Sequence, residues 1–222
     1  MKDYSMETND KKTELKKITD RFVSQLHDLY GVYFDFARGL ALYHEKLKAL
    51  QQQKVPRIIV AKGAPDNPDT IIRHSASIQE MIDRTAQQEG ASAVKIGQFI
   101  IVTIAGNWEE DIRPKIASVL GFSGKDEVKS DIMRDINQIR HGILKNKGRA
   151  GDGNAATNKI IKFKENDNLI ITEEILDLIF EEIFKYLNNL FFEQTGSIAY
   201  EDGSLDQKLK AWQKSTPQHV IR

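Results

Sequence analysis

A long apolar stripe near the amino terminus is the feature that most constrains the fold. Between residues 18 and 50, apolar side chains recur at steps of four and three, the spacing of one face of an α-helix. The stripe consists of Ile18, Phe22, Leu26, Leu29, Tyr33, Phe36, Leu40, Tyr43, Leu47 and Leu50. This pattern predicts one helix that begins near Asn9 or Thr13 and ends near Gln53. Its apolar seam must pack on the body of the protein or on a partner.

Residues 128–150 predict a second helix, which has two distinct faces and ends in a glycine-rich turn. One face is an apolar stripe at helical spacing, formed by Val128, Ile132, Ile136, Ile139 and Ile143. The opposite face is a polar row, formed by Arg134, Gln138, His141 and Lys145. Most polar helix faces are simply solvated. The alternative is an anion site, in which Arg134 and Lys145 bind a phosphate beside an imidazole that exchanges protons near neutral pH.

This stretch resembles the signature of the HEPN superfamily, helical domains that include many metal-independent ribonucleases. The signature is an Arg, often followed by a polar residue, and a His after four to six intervening residues. In one alignment Arg134 is followed by Asp135, and His141 is the distal histidine. In the other, Arg140 is followed by His141, and Lys145 stands in place of the distal histidine, before Asn146 and Gly148. The second alignment fits the flanking residues better but loses the catalytic histidine.

The segment 104–113, with the sequence IAGNWEEDIR, is similar to the Trp-Glu helix of several bacterial HEPN-like groups. The resemblance covers roughly residues 91–195. It implies a mainly all-α fold, a HEPN-like helical bundle, with a long amino-terminal helix and a small β-hairpin before the last major helix. It also implies a homodimer, in which two copies of the motif helix face each other across a cleft.

The same resemblance implies an endoribonuclease that needs no metal or other cofactor, of a defence or toxin–antitoxin type. Arg134 and His141 would be catalytic: the Arg stabilises charge on the phosphate, and the His moves a proton between the 2′-oxygen and the leaving oxygen. The residues expected to bind RNA or phosphate are Arg140, Lys145, Asn137 and Gln138.

Two alternatives remain open at this point. The first is a catalytically inactive module that binds RNA or a protein partner such as an antitoxin. Lys145 favours it, because a lysine stays protonated near neutral pH and cannot readily replace imidazole as a base. The second is an unrelated assembly protein, joined to its partner through the amino-terminal seam.

Composition narrows the functional classes. The chain has 32 basic and 32 acidic residues, so its formal net charge is zero and any nucleic-acid binding must be local. Without cysteine it has neither disulfides nor zinc–thiolate sites. No signal peptide or membrane span is expected, so the predicted location is cytoplasmic. The carboxylates of residues 109–111 are expected to form a negatively charged helix surface or a salt bridge with Arg113 rather than a metal site.

We predict four segments: a long helix in 1–54, a loop insertion in 55–74 with a possible short strand at 57–61, a HEPN-like core in 75–196 and a tail in 197–222. A hairpin is predicted from strands at 160–163 and 169–171. Ser77 with Glu80 predicts a capping box, and Thr172 predicts the cap of the last helix. Leu205, Leu209 and Trp212 predict a short docked helix in the tail.

Overall fold

The structure is a computed structural model that describes residues 4–64, 67–86, 90–151, 158–197 and 199. This part of the chain is mainly helical, as the sequence predicts, and carries a small antiparallel hairpin. The helices and strands are α1 (Tyr4–Gln52), β1 (Arg57–Lys62), β2 (Ile71–Ser77), α2 (Ile78–Arg84), α3 (Ala91–Asn107), α4 (Arg113–Leu120), α5 (Asp131–Lys145) and α6 (Glu173–Thr195). A π-helical turn (Trp108–Ile112) joins α3 to α4, and a 3₁₀ turn (Lys125–Glu127) precedes α5.

The predicted long helix is confirmed as α1, and the apolar residues of its seam pack in two different clusters of buried side chains. Leu15, Phe22 and Leu26 are buried in the main core. That core is built around α3, which packs against α1 and α5, while α6 covers α1 and α5 from another side. Farther along α1, Leu47 is also fully buried, but it lies outside the main core cluster.

The end of α1, the hairpin and α2 together form a second, small packing unit, which we call the distal module (residues 43–85). Ala76 and Ile78 are buried there with Leu47. His44 Nδ1 lies 2.9 Å from Thr85 Oγ1, which also donates to the backbone carbonyl of Met81 at 2.8 Å. These bonds tie the carboxyl end of α2 to α1. The predicted capping box at the start of α2 is confirmed, with Ser77 as the N-cap.

The hairpin β1–β2 covers most of the segment 55–74, predicted to be a loop insertion, and β2 extends beyond it to Ser77. Its register pairs Arg57 with Ser77 and Lys62 with Ile71, and a bulge follows Val60. The prediction of a hairpin at 160–171, directly before the last helix, is wrong, since no strand is found there among the described residues.

A buried side chain explains why no strand forms at 160–163. The carboxylate of Asp135 accepts hydrogen bonds from the backbone N–H groups of Lys159, Ile160 and Ile161, with shortest distances of 3.0, 2.7 and 3.2 Å. The donors that a partner strand would need are therefore already used. Residues 166–169 pair instead with 148–150, through a single bridge between Arg149 and Asn168.

The start of α5 also differs from the prediction. The helix begins at Asp131, with Ser130 as its N-cap, so Val128 precedes it although its side chain is buried. Pro114 lies in the first turn of α4, directly after the π-helical turn, where its missing N–H costs little. Thr172 caps α6 as predicted.

Among the described residues, no helix combines the length and the apolar character needed to cross a membrane. The predicted docked helix of Leu205, Leu209 and Trp212 lies outside the described residues.

Candidate functional site

A groove beside the first half of α5 gathers four of the predicted site residues. Its volume is about 350 Å³. Arg134, Asn137, Gln138 and His141 lie along its α5 wall. The π-helical turn and the segment that enters α5 form the rest of the groove, through Trp108, Glu109, Arg113, Val128, Lys129, Ser130, Asp131 and Met133. We call this the α5 groove.

The predicted two-faced character of α5 is confirmed. Ile132, Ile136 and Ile139 are buried against α3 and α6, whereas Arg134 and His141 are exposed on the other side. The polar row is therefore not needed for core packing and is accessible to a ligand.

Two carboxylates hold the guanidinium of Arg134 on the surface of α5. Its Nη2 lies 3.4 Å from Asp131 and 3.8 Å from Asp135, and its side chain is 42% exposed. The Lys159 ammonium hydrogen-bonds to Asp131 and lowers the pKa of that carboxyl despite some desolvation, and Arg134 contributes further. Arg134 is thus oriented by its own helix, with much of its surface still open to solvent.

A half-buried carboxylate forms the opposite wall of the groove. Glu109 accepts hydrogen bonds from Arg113 Nη1 at 3.0 Å and from Asn137 Nδ2 at 2.9 Å, and Lys125 Nζ lies 3.2 Å from it. Burial raises the pKa of Glu109, but the hydrogen bonds from Lys125 and Asn137 and the charge of Arg113 outweigh it, so the pKa lies below its usual value. Arg113 also donates to the backbone carbonyl of Val128. The network fixes the entry to α5 relative to the π-helical turn.

The predicted salt bridge between Glu109 and Arg113 is thereby confirmed. Among the described residues, no group of three or more potential metal ligands comes together. The carboxylates of this turn serve ion pairs instead: Asp111 pairs with Lys115 and Arg21.

Asn137 is the residue that joins the two walls. Its Nδ2 is used by Glu109, but its Oδ1 is buried and has no hydrogen-bond partner among the described residues. A buried acceptor without a donor is unfavourable.

The remaining predicted residues, Arg140 and Lys145, do not line the groove. Arg140 is half-buried, and its Nε has no partner among the described residues. Lys145 is exposed in the last turn of α5. Arg134 and His141 therefore both line the groove, whereas Arg140 and Lys145 do not.

Sequence reasoning missed Lys129 and Ser130 on the groove. Lys129 is exposed and forms no ion pair within the described part of the chain, so its charge is available to an anion. A signal for Ser130 was present, since a serine followed by an aspartate before an apolar periodic run is a typical N-cap pattern. Placing the helix start at residue 128 concealed it.

The groove is therefore a polar cleft in which the cations Arg113, Lys129 and Arg134 and the carboxylates of Glu109 and Asp131 lie beside an imidazole. No protein-family model, no curated protein and no solved structure matches this chain.

Proposed function

We propose that this chain is a HEPN-like RNA-binding domain and that its α5 groove holds an RNA phosphodiester. The placement of Arg134 and His141 on the wall of one groove carries this proposal. Lys129 and the backbone N–H groups at the start of α5 add to the attraction for an anion. With a net charge of zero over the chain, this local arrangement accounts for binding better than a general basic surface does.

Cleavage follows from the same two groups and requires no metal. The imidazole of His141 accepts the proton of a ribose 2′-hydroxyl as its oxygen attacks the adjacent phosphorus. Arg134 stabilises the negative charge that develops on the phosphoryl oxygens. The bond from phosphorus to the 5′-oxygen then breaks, that oxygen receives a proton from His141, and a 2′,3′-cyclic phosphate and a 5′-hydroxyl end result.

The spacing of the two residues favours a site shared between two copies. Arg134 and His141 are seven positions apart, which separates their backbones by about 10 Å along the helix axis. If two α5 helices pack antiparallel across a two-fold axis, Arg134 of one copy lies near His141 of the other. The homodimer is therefore part of the proposal.

An RNA cleavage assay in EDTA tests the catalytic roles. We expect the wild-type chain to cleave single-stranded RNA and His141→Ala to lower the rate by at least about 100-fold. Arg134→Ala should lower it comparably, whereas Lys145→Ala, an exposed cation of the same helix outside the groove, should retain activity. If His141→Ala and Arg134→Ala both cleave like wild type, the assignment fails.

Mixing the two inactive variants tests the shared site. After random exchange, about half of the dimers contain one copy of each variant, and each of these has one intact Arg134–His141 pair. We expect about a quarter of wild-type activity to return on mixing. No recovery, in a mixture shown to contain the mixed dimer, would place the whole site within one copy.

A non-catalytic binding module is the second candidate, and the ion pairs of Arg134 favour it. Asp131 and Asp135 compete with a phosphate for this guanidinium. Fluorescence anisotropy with a labelled 2′-O-methyl RNA, which cannot be cleaved, separates the candidates. RNA binding that depends on Arg134, without any cleavage of ordinary RNA, would support an inactive RNA-binding relative. Neither binding nor cleavage would favour a protein partner, such as an antitoxin.

A further inference from the structure

The hairpin of the distal module exposes four large apolar side chains. Ile59 is 54% exposed, Val60 49%, Ile71 61% and Ile72 60%. Successive residues of a strand point to opposite faces, so each face of the hairpin carries two of these four side chains. Isolated apolar residues on a surface are ordinary, but this number on one small element indicates a sheet that another molecule covers. On the base of the hairpin, in contrast, Ala76 is buried against the rest of the module.

The backbone of the hairpin is equally open. Among the described residues each strand has only the other as a strand neighbour, and no backbone hydrogen bond reaches the outer edge of either strand beyond the base at Pro56 and Ile78. A free edge offers alternating N–H and C=O groups at a spacing that an extended peptide matches.

The charges on the two strands of the hairpin have one sign. Arg57, Lys62 and Arg73 lie on the two strands, and neither strand contains a carboxylate. Arg57 donates to Ser75 Oγ at 3.0 Å, and Glu80 at the start of α2 lies close enough for the charge of Arg57 to act on it. None of the three cations forms an ion pair with a described residue. Three cations of the hairpin therefore lie on the same strands as its exposed apolar side chains.

We propose that the hairpin is a docking site for an extended segment of a partner protein, in which acidic residues alternate with β-branched or other apolar residues. The segment adds a third strand to the sheet. Its backbone pairs with a free edge, its apolar side chains cover the exposed isoleucines, and its carboxylates neutralise the three cations. The proposal does not depend on the function of the α5 groove.

Two other occupants fit the observations less well. A second copy of this chain would bring three more cations and no carboxylate to the same surface, and like charges across a sheet are destabilising. RNA would use the cations, but neither the backbone edge nor the aliphatic side chains. Neither strand has a Phe, Tyr or Trp on which a base can stack, and the ring of His74 is held by Arg84, whose Nη1 lies 3.2 Å from its Nε2.

The attachment of the hairpin to the two neighbouring helices suits this role. Gln51 on α1 hydrogen-bonds to Gln79 on α2 at 2.8 Å, and β2 continues directly into α2. The base of the sheet is therefore held by two helices while its outer half stays open. Little order has to be created when a peptide binds, which favours affinity.

A selection with random twelve-residue peptides displayed on phage tests the proposal, using the full chain as the target. We expect enriched sequences to combine acidic and β-branched residues. A synthetic peptide from this set should bind the double variant Lys62→Glu/Arg73→Glu at least about tenfold more weakly. The same peptide with lysine in place of its acidic residues should recover affinity for that variant, which loss of folding cannot produce.

Lys46→Glu, a charge reversal at an exposed position of α1, is the matched control and should leave the affinity unchanged. The proposal is overturned if no peptide is enriched, or if the peptides bind the double variant as tightly as wild type. It is also overturned if ultracentrifugation shows that Ile72→Thr converts a dimer to a monomer, because a second copy then covers the hairpin. The proposal would likewise be overturned if the wild-type chain bound vesicles or RNA but no peptide, and if Ile72→Thr abolished that binding.

Discussion

At the scale of single residues, Asp135 shows how a motif position can serve the fold instead of the chemistry. It follows Arg134 in the polar position of the HEPN-like pattern, yet its side chain is completely buried. Its carboxylate binds three consecutive backbone N–H groups at 159–161. This carboxylate replaces the strand partner that the apolar sequence of 160–163 would otherwise require.

We therefore expect Asp135→Ala to destabilise the protein strongly. The substitution leaves buried N–H groups without an acceptor, and the expected loss is about 3 kcal/mol of unfolding free energy. Urea denaturation measures it. Asp131→Ala, on the same helix but 49% exposed, is the control and should cost less than about 1 kcal/mol. Equal effects of the two substitutions would contradict the structural role of Asp135.

Glu109 makes the stability dependent on pH at the other wall of the groove. Its folded-state pKa lies below the usual value of 4.5, because its partners outweigh desolvation. The charged carboxylate therefore stabilises the fold above the unfolded-state pKa, and this contribution is lost as the pH falls through the folded-state pKa.

Glu109→Gln should accordingly be less stable than wild type by about 2 kcal/mol at pH 7, since Arg113 loses its closest charged partner. The difference should shrink as the pH falls below 4.5, the usual pKa of this carboxyl. Denaturation curves between pH 7 and pH 3 test this. Glu110→Gln, an exposed neighbour, should show a difference close to zero throughout; a gap for Glu109→Gln that stays constant with pH would refute the argument.

At the scale of elements, the sequence predicted those features that depend on interactions between residues close together in the chain. The periodic apolar residues of α1, α5 and α6, and the caps Ser77 and Thr172, were readable because each depends on residues within a few positions. The structure of residues 160–171 was not predictable in this way. Whether residues 160–163 pair as a strand depends on Asp135, some 25 residues earlier. The α5 wall of the groove was predictable for the same reason, whereas the meeting of Asn137 with Glu109 requires the packing of two elements.

Two glycines of α3 should respond in opposite ways to the same substitution. A methyl group on Gly97 would lie 2.7 Å from the backbone oxygen of Ile171 and 2.8 Å from its Cβ. At Gly106, nothing lies within 4 Å of the added carbon. Helix propensity favours alanine at both positions by up to about 1 kcal/mol. At Gly97 the contact with Ile171 decides whether alanine raises or lowers the unfolding free energy.

We expect Gly97→Ala to lower the unfolding free energy by about 1–3 kcal/mol, because the segment before α6 must move. Gly106→Ala should raise it by up to about 1 kcal/mol. Thermal denaturation of the two variants beside wild type gives both signs. Stabilisation by Gly97→Ala would show that α3 and residue 171 do not approach as closely as the structure indicates.

At the scale of the whole molecule, the long helix α1 connects two packing units of different size. Its first half is buried against α3, α4 and α6, and the end of its second half packs with α2. Leu26 and Leu47 are both fully buried on this helix, one in each unit. The smaller unit buries far fewer apolar side chains, so it should open at a lower free energy than the main core.

Hydrogen exchange of the variants Leu26→Ala and Leu47→Ala tests whether the two packing units unfold separately. The same substitution is made once in each unit. Leu26→Ala removes methyl groups from the main core, so it should lower the global unfolding free energy by roughly 2–5 kcal/mol and speed exchange in α3 and α5. Leu47→Ala should speed exchange in the hairpin, in α2 and in the end of α1, while α3 and α5 keep wild-type protection. Faster exchange in α5 of Leu47→Ala would mean that the two units unfold together. In that case a partner bound at the hairpin would stabilise the α5 groove as well, since binding to a cooperative native state stabilises all of it.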